Sequence, residues 1–200
     1  MGDKARKKRH DGIAIPMVAK IFGNYGFTGF TIGTENDSKE LSELLQTQSD
    51  PTSIMLRFRP DQIFVRPMLR SVLVEVKSEE GKYPNYAIEM DSHVAAHLWN
   101  QQSDHVVYVF VDTLKQTCRA IWAHELPDPH TIYVPLRWDF DKQEHRIQTE
   151  WPGAEIKAIP WNKDISSGKP FMVISKKHAA LRDLEQFIKS EIIGEHHEIL

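Results

Sequence analysis

The chain has 200 residues, of which 40% are hydrophobic and 26% are charged, and this composition excludes collagen-like, disulfide-framework and wholly disordered proteins. Its longest apolar run, around Val106–Val111, is far shorter than the roughly 20 residues that cross a bilayer, so we expect no association with a membrane. The formal net charge of −3 argues against a uniformly basic protein that coats DNA, so phosphate contacts would come from local basic patches.

The chain ends and the single cysteine set expectations about domains and compartment. Cys118 is the one cysteine, which suits a reducing compartment, and the charged start lacks an apolar signal region, so we expect a cytoplasmic protein. We expect one domain at 12–194, between a disordered basic tail at 1–11 and a frayed tail at 195–200. The cations of the basic tail either are simply solvated or bind nucleic acid phosphates: Lys4, Arg6, Lys7, Lys8 and Arg9.

Hydrophobic periodicity and turn residues predict the elements of the first half of the chain. The glycines of 23–29 lack the pattern of a phosphate-binding loop and indicate a turn. Asp37 or Ser38 can cap a helix that runs to Gln48. The elements predicted next are strands at Ile63–Val65 and Ser71–Lys77, a polar loop at Ser78–Asn85 and a helix at Ser92–Asn100.

The second half of the chain reads as further strands and one terminal helix. The nearly continuous apolar run at His105–Val111 predicts a buried strand. The remaining predicted elements are strands at Cys118–Glu125, Thr131–Leu136 and Phe171–Ile174, and a helix at Lys176–Ile193. This order of elements is typical of an α/β fold with a mixed central β-sheet flanked by helices.

Two acidic residues and one lysine stand out within the predicted strands. Alternation along Ser71–Lys77 places Glu75 and Lys77 on one face of an otherwise apolar strand. Charges in such a position are costly to desolvate unless they are paired or bind a metal, so they suggest a functional site. If Asp61 begins the neighbouring antiparallel strand, its carboxylate converges with that of Glu75, and a magnesium or manganese ion would relieve their repulsion.

These residues resemble the PD-(D/E)xK nuclease superfamily through Pro60-Asp61 followed by Glu75-Val76-Lys77. The resemblance covers roughly Ser38–Val111 and implies a restriction-endonuclease-like core. It implies that Asp61, Glu75 and the Val76 carbonyl bind Mg²⁺, with Mn²⁺ as a substitute, and that Lys77 assists the attacking water. The implied activity is that of a magnesium-dependent endonuclease, on DNA rather than RNA. Small phage or mobile-element nucleases, restriction enzymes and junction resolvases are similar units, and many of them are homodimers.

The resemblance also suggests accessory acids. Glu40 flanks the apolar face of the helix before the motif, and Glu89 lies where relatives often carry a supporting Gln or Tyr. Either residue can equally be an ordinary solvated or helix-start carboxylate. Two other sequences match the short motif: Glu80-Gly-Lys82 reads as a turn, and Glu155-Ile-Lys157 reads as a surface strand.

Two alternatives to a nuclease remain open on sequence alone. A binding or assembly protein could keep the nuclease fold without cleaving nucleic acid. A metalloprotein could instead use Glu89, His93 and His97, which would share one face of a helix that began early enough. In that helix Val94 stands where a zinc protease would have its catalytic glutamate.

Overall fold

Two β-sheets and the helices around them make up the computed structural model, which describes residues 7–33, 38–48, 50–81, 84–102, 105–128, 137–139, 144–147, 154–158 and 170–194. The strands are β1 (Thr28–Thr31), β2 (Gln62–Val65), β3 (Val72–Glu79), β4 (Asn85–Glu89), β5 (His105–Asp112), β6 (Thr117–Trp122), β7 (Arg137–Asp139), β8 (Glu144–Ile147), β9 (Ala154–Ala158), β10 (Pro170–Ser175) and β11 (Arg182–Asp183). The helices are a π-helix at His10–Ala14 that continues into α1 (Ile15–Asn24), then α2 (Lys39–Gln46), α3 (Pro51–Arg57), α4 (Met90–Gln101) and α5 (Leu184–Phe187), which continues into a π-helix at Ile188–Ile193. None of the described helices is long and apolar enough to cross a membrane.

The larger sheet has six described strands in the order β1-β2-β3-β5-β6-β11. Strands β3 and β5 are parallel, with Val72 opposite His105 and Glu79 opposite Asp112. The other neighbours are antiparallel. The predicted α/β fold with a mixed central sheet flanked by helices is therefore confirmed.

The two faces of the six-stranded sheet bury different sets of side chains. One face is mostly valine, and α1 and the C-terminal helix cover it. Its buried residues include Val72, Val74, Val76, Val107, Val109, Phe22, Phe187, Ile188 and Ile192. The other face packs against α4 and the second sheet, and its buried residues include Leu73, Tyr108, Phe110, Ala96, Tyr86, Ile88, Met172 and Ile174.

The second sheet is antiparallel and has five described strands in the order β4-β10-β9-β8-β7. Its strands β4 and β10 contribute to the core shared with the six-stranded sheet. The rings of Tyr86 on β4 and Phe110 on β5 stack with centroids 4.2 Å apart, and Lys176 after β10 forms an ion pair with Glu79 on β3. The two sheets thus pack together through β4 and β10.

Several elements differ from the sequence predictions. The predicted loop at Ser78–Asn85 is shorter, because β3 runs to Glu79 and β4 begins at Asn85. The sequence predicted a terminal helix from Lys176, but helix α5 begins eight residues later, at Leu184. Asp183 caps this helix, because its side chain accepts hydrogen bonds from the N–H groups of residues 185 and 186. Residues 7–14, partly assigned to a disordered tail, are helical. The predicted strand at Thr131–Leu136 lies outside the described residues.

Candidate active site

Asp61 lies directly before β2, and the end of β1 fixes its backbone. The main-chain N–H groups of Ile32 and Gly33 donate to the Asp61 carbonyl over 3.0 and 3.2 Å. The guanidinium of Arg59 donates to the carbonyls of the same two residues, over 3.1 Å at Gly33. Because both main-chain and side-chain hydrogen bonds hold this segment, the position of the Asp61 side chain is set by the β1 end rather than by a loose loop.

The pairing of β2 with β3 brings Asp61 beside Glu75. Gln62 pairs with Val74, so Asp61 comes one position further, alongside Glu75, as the sequence predicted. The Val76 N–H donates to Asp61 Oδ2 over 2.7 Å. A strand residue presents its N–H and C=O to the same neighbour, so the Val76 carbonyl lies on the edge of β3 that Asp61 occupies.

Glu75 and Lys77 share one face of β3 and form an ion pair. The Lys77 Nζ lies 2.6 Å from Glu75 Oε1, and their side chains are only 25% and 14% exposed, respectively. Both face the side of the sheet that carries Leu73, Tyr108 and α4. The sequence expectation that these two charges share a face is confirmed.

The electrostatics of this pair reflect its burial. Burial raises the pKa of Glu75 to about 7, with the Asp61 charge adding to the rise, although the Lys77 ammonium opposes it. Burial alone would lower the pKa of Lys77, but Glu75, Asp61 and Glu89 outweigh it and raise that pKa. Desolvation and carboxylate repulsion at one point are features of functional sites.

His10 is a member of this cluster that the sequence analysis missed. Its Nε2 lies 3.7 Å from Asp61 Oδ1, because the N-terminal helix packs beside the part of β3 that extends beyond β2. Burial would lower the pKa of His10, but its contact with Asp61 and the charges of Asp61, Asp11 and Glu75 raise it. No local pattern could have identified His10, since 50 residues separate it from Asp61.

The two accessory acids have different surroundings. Glu89 ends β4 directly before α4, and its charge acts on Lys77, so the structure brings it towards the cluster. Glu40 is exposed on the first turn of α2, where hydrogen bonds with its own backbone and with Ser38 lower its pKa. Those contacts belong to the start of the helix and do not connect Glu40 with Asp61 or Glu75.

The described part of the basic tail lies close to the cluster. Lys7 and Lys8 are exposed and helical, and Arg9 forms an ion pair with Glu80, directly after β3. These residues immediately precede His10, so their charges lie within about one helical turn of the residue that contacts Asp61. Lys4 and Arg6 lie outside the described residues.

The donors of the cluster suit a hard divalent cation. Asp61 and Glu75 supply carboxylate oxygens from adjacent chain segments, and the Val76 carbonyl lies on the same edge. A cation would offset the carboxylate repulsion that adds to burial in raising the Glu75 pKa. Within the described residues, no group of three or more His, Cys, Asp or Glu side chains is placed to hold a metal. The candidate set has two such side chains plus a main-chain carbonyl, so it falls below that number.

The histidines of α4 serve the core. His93 is buried, its Nε2 lies 2.8 Å from the Pro127 carbonyl, and its Nδ1 lies 3.3 Å from the Tyr108 hydroxyl. With both ring nitrogens engaged, His93 offers no lone pair to a metal in this arrangement. Helix α4 begins at Met90, after Glu89, so the geometry does not favour a Glu89, His93 and His97 metal site.

Comparisons with known proteins add no family assignment, because no family model and no curated protein matches the chain.

Proposed function

We propose that this protein is a magnesium-dependent endonuclease that hydrolyses phosphodiester bonds in DNA. The observation that carries the proposal is the convergence of Asp61, Glu75 and Lys77 at the point where β2 begins beside β3. The order of these residues in the sequence, and the mixed sheet on which they lie, agree with the resemblance to PD-(D/E)xK nucleases. The proposal includes that the protein acts as a homodimer in the cytoplasm.

In the reaction, water attacks phosphorus in line with the bond to the 3′ oxygen. The new bond joins the water oxygen to phosphorus, and the bond from phosphorus to the 3′ oxygen breaks. The attacking water releases one proton to solvent, and the leaving oxygen takes one proton from solvent. The products carry a 5′-phosphate and a 3′-hydroxyl. A bound Mg²⁺, held by Asp61, Glu75 and the Val76 carbonyl, would supply charge stabilisation at the phosphate.

The chain's own residues have separate tasks in this proposal. Lys77 holds Glu75 in place through their ion pair and can orient the attacking water or stabilise charge on the phosphate. The Val76 N–H fixes the rotamer of Asp61 by occupying Oδ2, which leaves Oδ1 directed towards His10. Lys7 and Lys8, together with residues 4 and 6, would contact flanking phosphates.

The test compares two charge-removing variants with a matched control. Asp61→Asn and Glu75→Gln keep the shapes of the original side chains. The asparagine also keeps an acceptor for the Val76 N–H, because leaving that N–H without a partner would cost about 1–3 kcal/mol. Each is expected to lower cleavage of supercoiled plasmid by at least about 100-fold. Glu43→Gln makes the same chemical change on exposed α2 and should cleave normally.

The assay includes magnesium, manganese and chelator, with branched DNA and single-stranded RNA as further substrates. Full activity in either folded site variant would contradict the site assignment. Metal and DNA binding by the unsubstituted protein without any cleavage would identify a nuclease fold that only binds.

A further inference from the structure

The turn between β2 and β3 holds a methionine in an unfavourable backbone conformation. The Leu69 N–H donates to the Arg66 carbonyl over 3.1 Å, which closes a β-turn with Pro67 and Met68 as its two central residues. Pro67 suits the first central position, because its ring fixes the φ angle. Met68 has a φ of 66°, which lies in the left-handed region that a residue with a Cβ rarely adopts. The sequence therefore keeps a residue here that the turn itself disfavours.

Burial does not explain why this position is a methionine. Met68 is 90% exposed, so its side chain gains almost nothing from the hydrophobic effect in the free protein. Leu114, in the turn between β5 and β6, is also exposed, but the residue with positive φ in that turn is the polar Gln116. Met68 thus combines a strained backbone with an exposed apolar side chain, and a backbone outlier of this kind suggests a functional contact.

Cationic side chains lie on both sides of the methionine. Arg66 precedes it, and the guanidinium carbon of Arg66 lies 5.8 Å from the centroid of the Phe27 ring. No carboxylate among the described residues forms an ion pair with Arg66. Arg70 follows the turn, where its guanidinium contacts the His105 ring and lies 5.9 Å from the centroid of the Trp122 ring. An apolar tip between two cations complements duplex nucleic acid, in which charged phosphates border stacked apolar bases.

The β2–β3 hairpin connects this turn with the candidate active site. Asp61 directly precedes β2 and lies alongside Glu75 on β3, so the site and the turn are at opposite ends of β2. At about 3.3 Å per strand residue, the four steps from Asp61 to Val65 span about 13 Å, and the turn brings the separation to about 15 Å. This length corresponds to about four or five base pairs of duplex DNA. One duplex can therefore contact both the active site and Met68.

We propose that Met68 inserts into the minor groove of the duplex substrate and unstacks one base step, while Arg66 binds a flanking phosphate. The inference rests on the proposed function for the identity of the substrate. Apolar side chains, methionine among them, act as wedges between base pairs in this way and kink the duplex. The contact buries the Met68 side chain, which offsets the unfavourable backbone conformation of the free protein.

The test measures binding and base unstacking without cleavage. Duplexes that carry the fluorescent adenine analogue 2-aminopurine at successive positions are titrated with protein in chelator. The fluorescence of the analogue rises where a base step is unstacked, and the anisotropy of an end label gives the affinity. Met68→Gly removes the wedge, so it should bind at least about fivefold more weakly and should lose the fluorescence rise.

The fold of the variant is checked separately. Glycine accepts a positive φ, so the thermal midpoint of Met68→Gly should be no lower than that of the unsubstituted protein. Met68→Asn is a second variant with a polar side chain that tolerates the same conformation, and the same loss of binding is expected. Weaker binding by variants that are at least as stable as the original cannot result from a damaged fold.

Two controls match the change at the methionine. Met68→Leu keeps an apolar wedge and should bind within about twofold of the original. Leu114→Gly removes an exposed apolar side chain from the β5–β6 turn and should leave both affinity and fluorescence unchanged.

A charge variant tests the phosphate contact. Arg66→Gln should lower the slope of log affinity against log salt by about 0.9, the value for one lost phosphate contact. Lys115→Gln, in the β5–β6 turn, should not alter the slope. An unchanged slope in Arg66→Gln would overturn the assignment of Arg66.

The outcomes distinguish this inference from the proposed function. Equal affinity and fluorescence with Met68→Gly and the unsubstituted protein overturn the inference, even if the protein cleaves DNA. Unstacking that depends on Met68, without cleavage in magnesium or manganese, supports the inference and contradicts the endonuclease. Absence of duplex binding by the unsubstituted protein overturns the inference. Altered sedimentation of Met68→Gly with unaltered duplex binding also overturns it, because Met68 would then contact another protein chain.

Discussion

The ammonium of Lys77 opposes the burial that raises the pKa of Glu75. Lys77→Met removes the charge at similar length, so the Glu75 pKa should rise further. Metal binding requires ionised Glu75, so Mg²⁺ affinity should fall at pH 7 and recover as the pH approaches 9. Turnover at saturating metal should fall by about 100-fold.

Calorimetric metal titrations across this pH range and single-turnover cleavage measure the two effects. Lys176→Met is the matched control, because Lys176 pairs with Glu79 on the same strand and should leave the metal titration unchanged. Unaltered metal affinity and turnover in Lys77→Met would mean that Lys77 only supports the local fold.

His93 predicts a loss of stability in acid. Burial, together with the nearby His97, lowers the pKa of His93 to about 3, although the Pro127 carbonyl opposes the shift. The folded protein therefore binds fewer protons than the unfolded chain between pH 6.5 and 3. The stability that the neutral ring contributes is present above pH 6.5 and is lost as the pH falls through this range, by up to about 1.4 kcal/mol per pH unit.

The variant His93→Gln keeps a donor for the Pro127 carbonyl but cannot titrate. Its free energy of unfolding, measured by urea denaturation from pH 7.5 to 4.5, should be lower at pH 7.5 and should decline less steeply in acid. The control variant is His124→Gln, which makes the same change at an exposed histidine. The same slope in His93→Gln and the unsubstituted protein would assign the acid sensitivity to other groups.

At the scale of elements, the β1–β2 pair depends on the absence of a side chain at Gly29. A Cβ there would lie 2.5 Å from Phe64 Cε1, and the buried Phe64 ring cannot move easily because it stacks on Phe22 with centroids 4.0 Å apart. Gly29→Ala should therefore cost about 1–3 kcal/mol of stability.

Gly23→Ala is the control variant, and chemical denaturation measures the free energy of unfolding of both variants. A Cβ at Gly23 meets nothing within 4 Å, and α1 should gain up to about 1 kcal/mol from alanine. Because the β1–β2 pairing holds Asp61 in position, Gly29→Ala should also weaken metal binding. Equal stability in the two variants would contradict the close packing of β1 on Phe64.

Local pattern predicted the strands that carry the site. Residues 71–77 alternate between the two faces of a strand, and the run after His105 is continuously apolar because that strand is buried on both faces. Both patterns are visible in the sequence. The predicted start of the terminal helix was wrong because Leu181 has helical spacing with Leu184 and Ile188. Leu181 is instead buried just before β11, outside the helix. Helix α3 was overlooked despite a usable signal, since Asp50 caps it and Pro51 begins it.

The site was only partly predictable for a different reason. Asp61, Glu75 and Lys77 belong to one hairpin, so the spacing of two short strands suffices to place them together. His10 reaches the site through packing between segments that are distant in the sequence. Such long-range contacts leave no periodic trace in the sequence, whereas the hairpin does.

For the whole molecule, the core shared by the two sheets predicts joint unfolding. Ile174 on β10 is fully buried against residues of both sheets, so Ile174→Ala should cost about 2–5 kcal/mol. Hydrogen exchange should accelerate in β5 as well as in β10. Val173→Ala changes the neighbouring residue on the other face and should have a smaller effect; a response confined to β10 would indicate two independent units.

The late position of β11 in the chain has a consequence for synthesis on the ribosome. β11 pairs with β6, and the helix after it covers the valine face with Leu184, Phe187, Ile188 and Ile192. At about 5–20 residues per second, the stretch between Trp122 and Arg182 takes about 3–12 seconds to translate. Throughout that interval the nascent sheet lacks the cover of its C-terminal helix, so it is a natural substrate for chaperones that bind apolar surfaces.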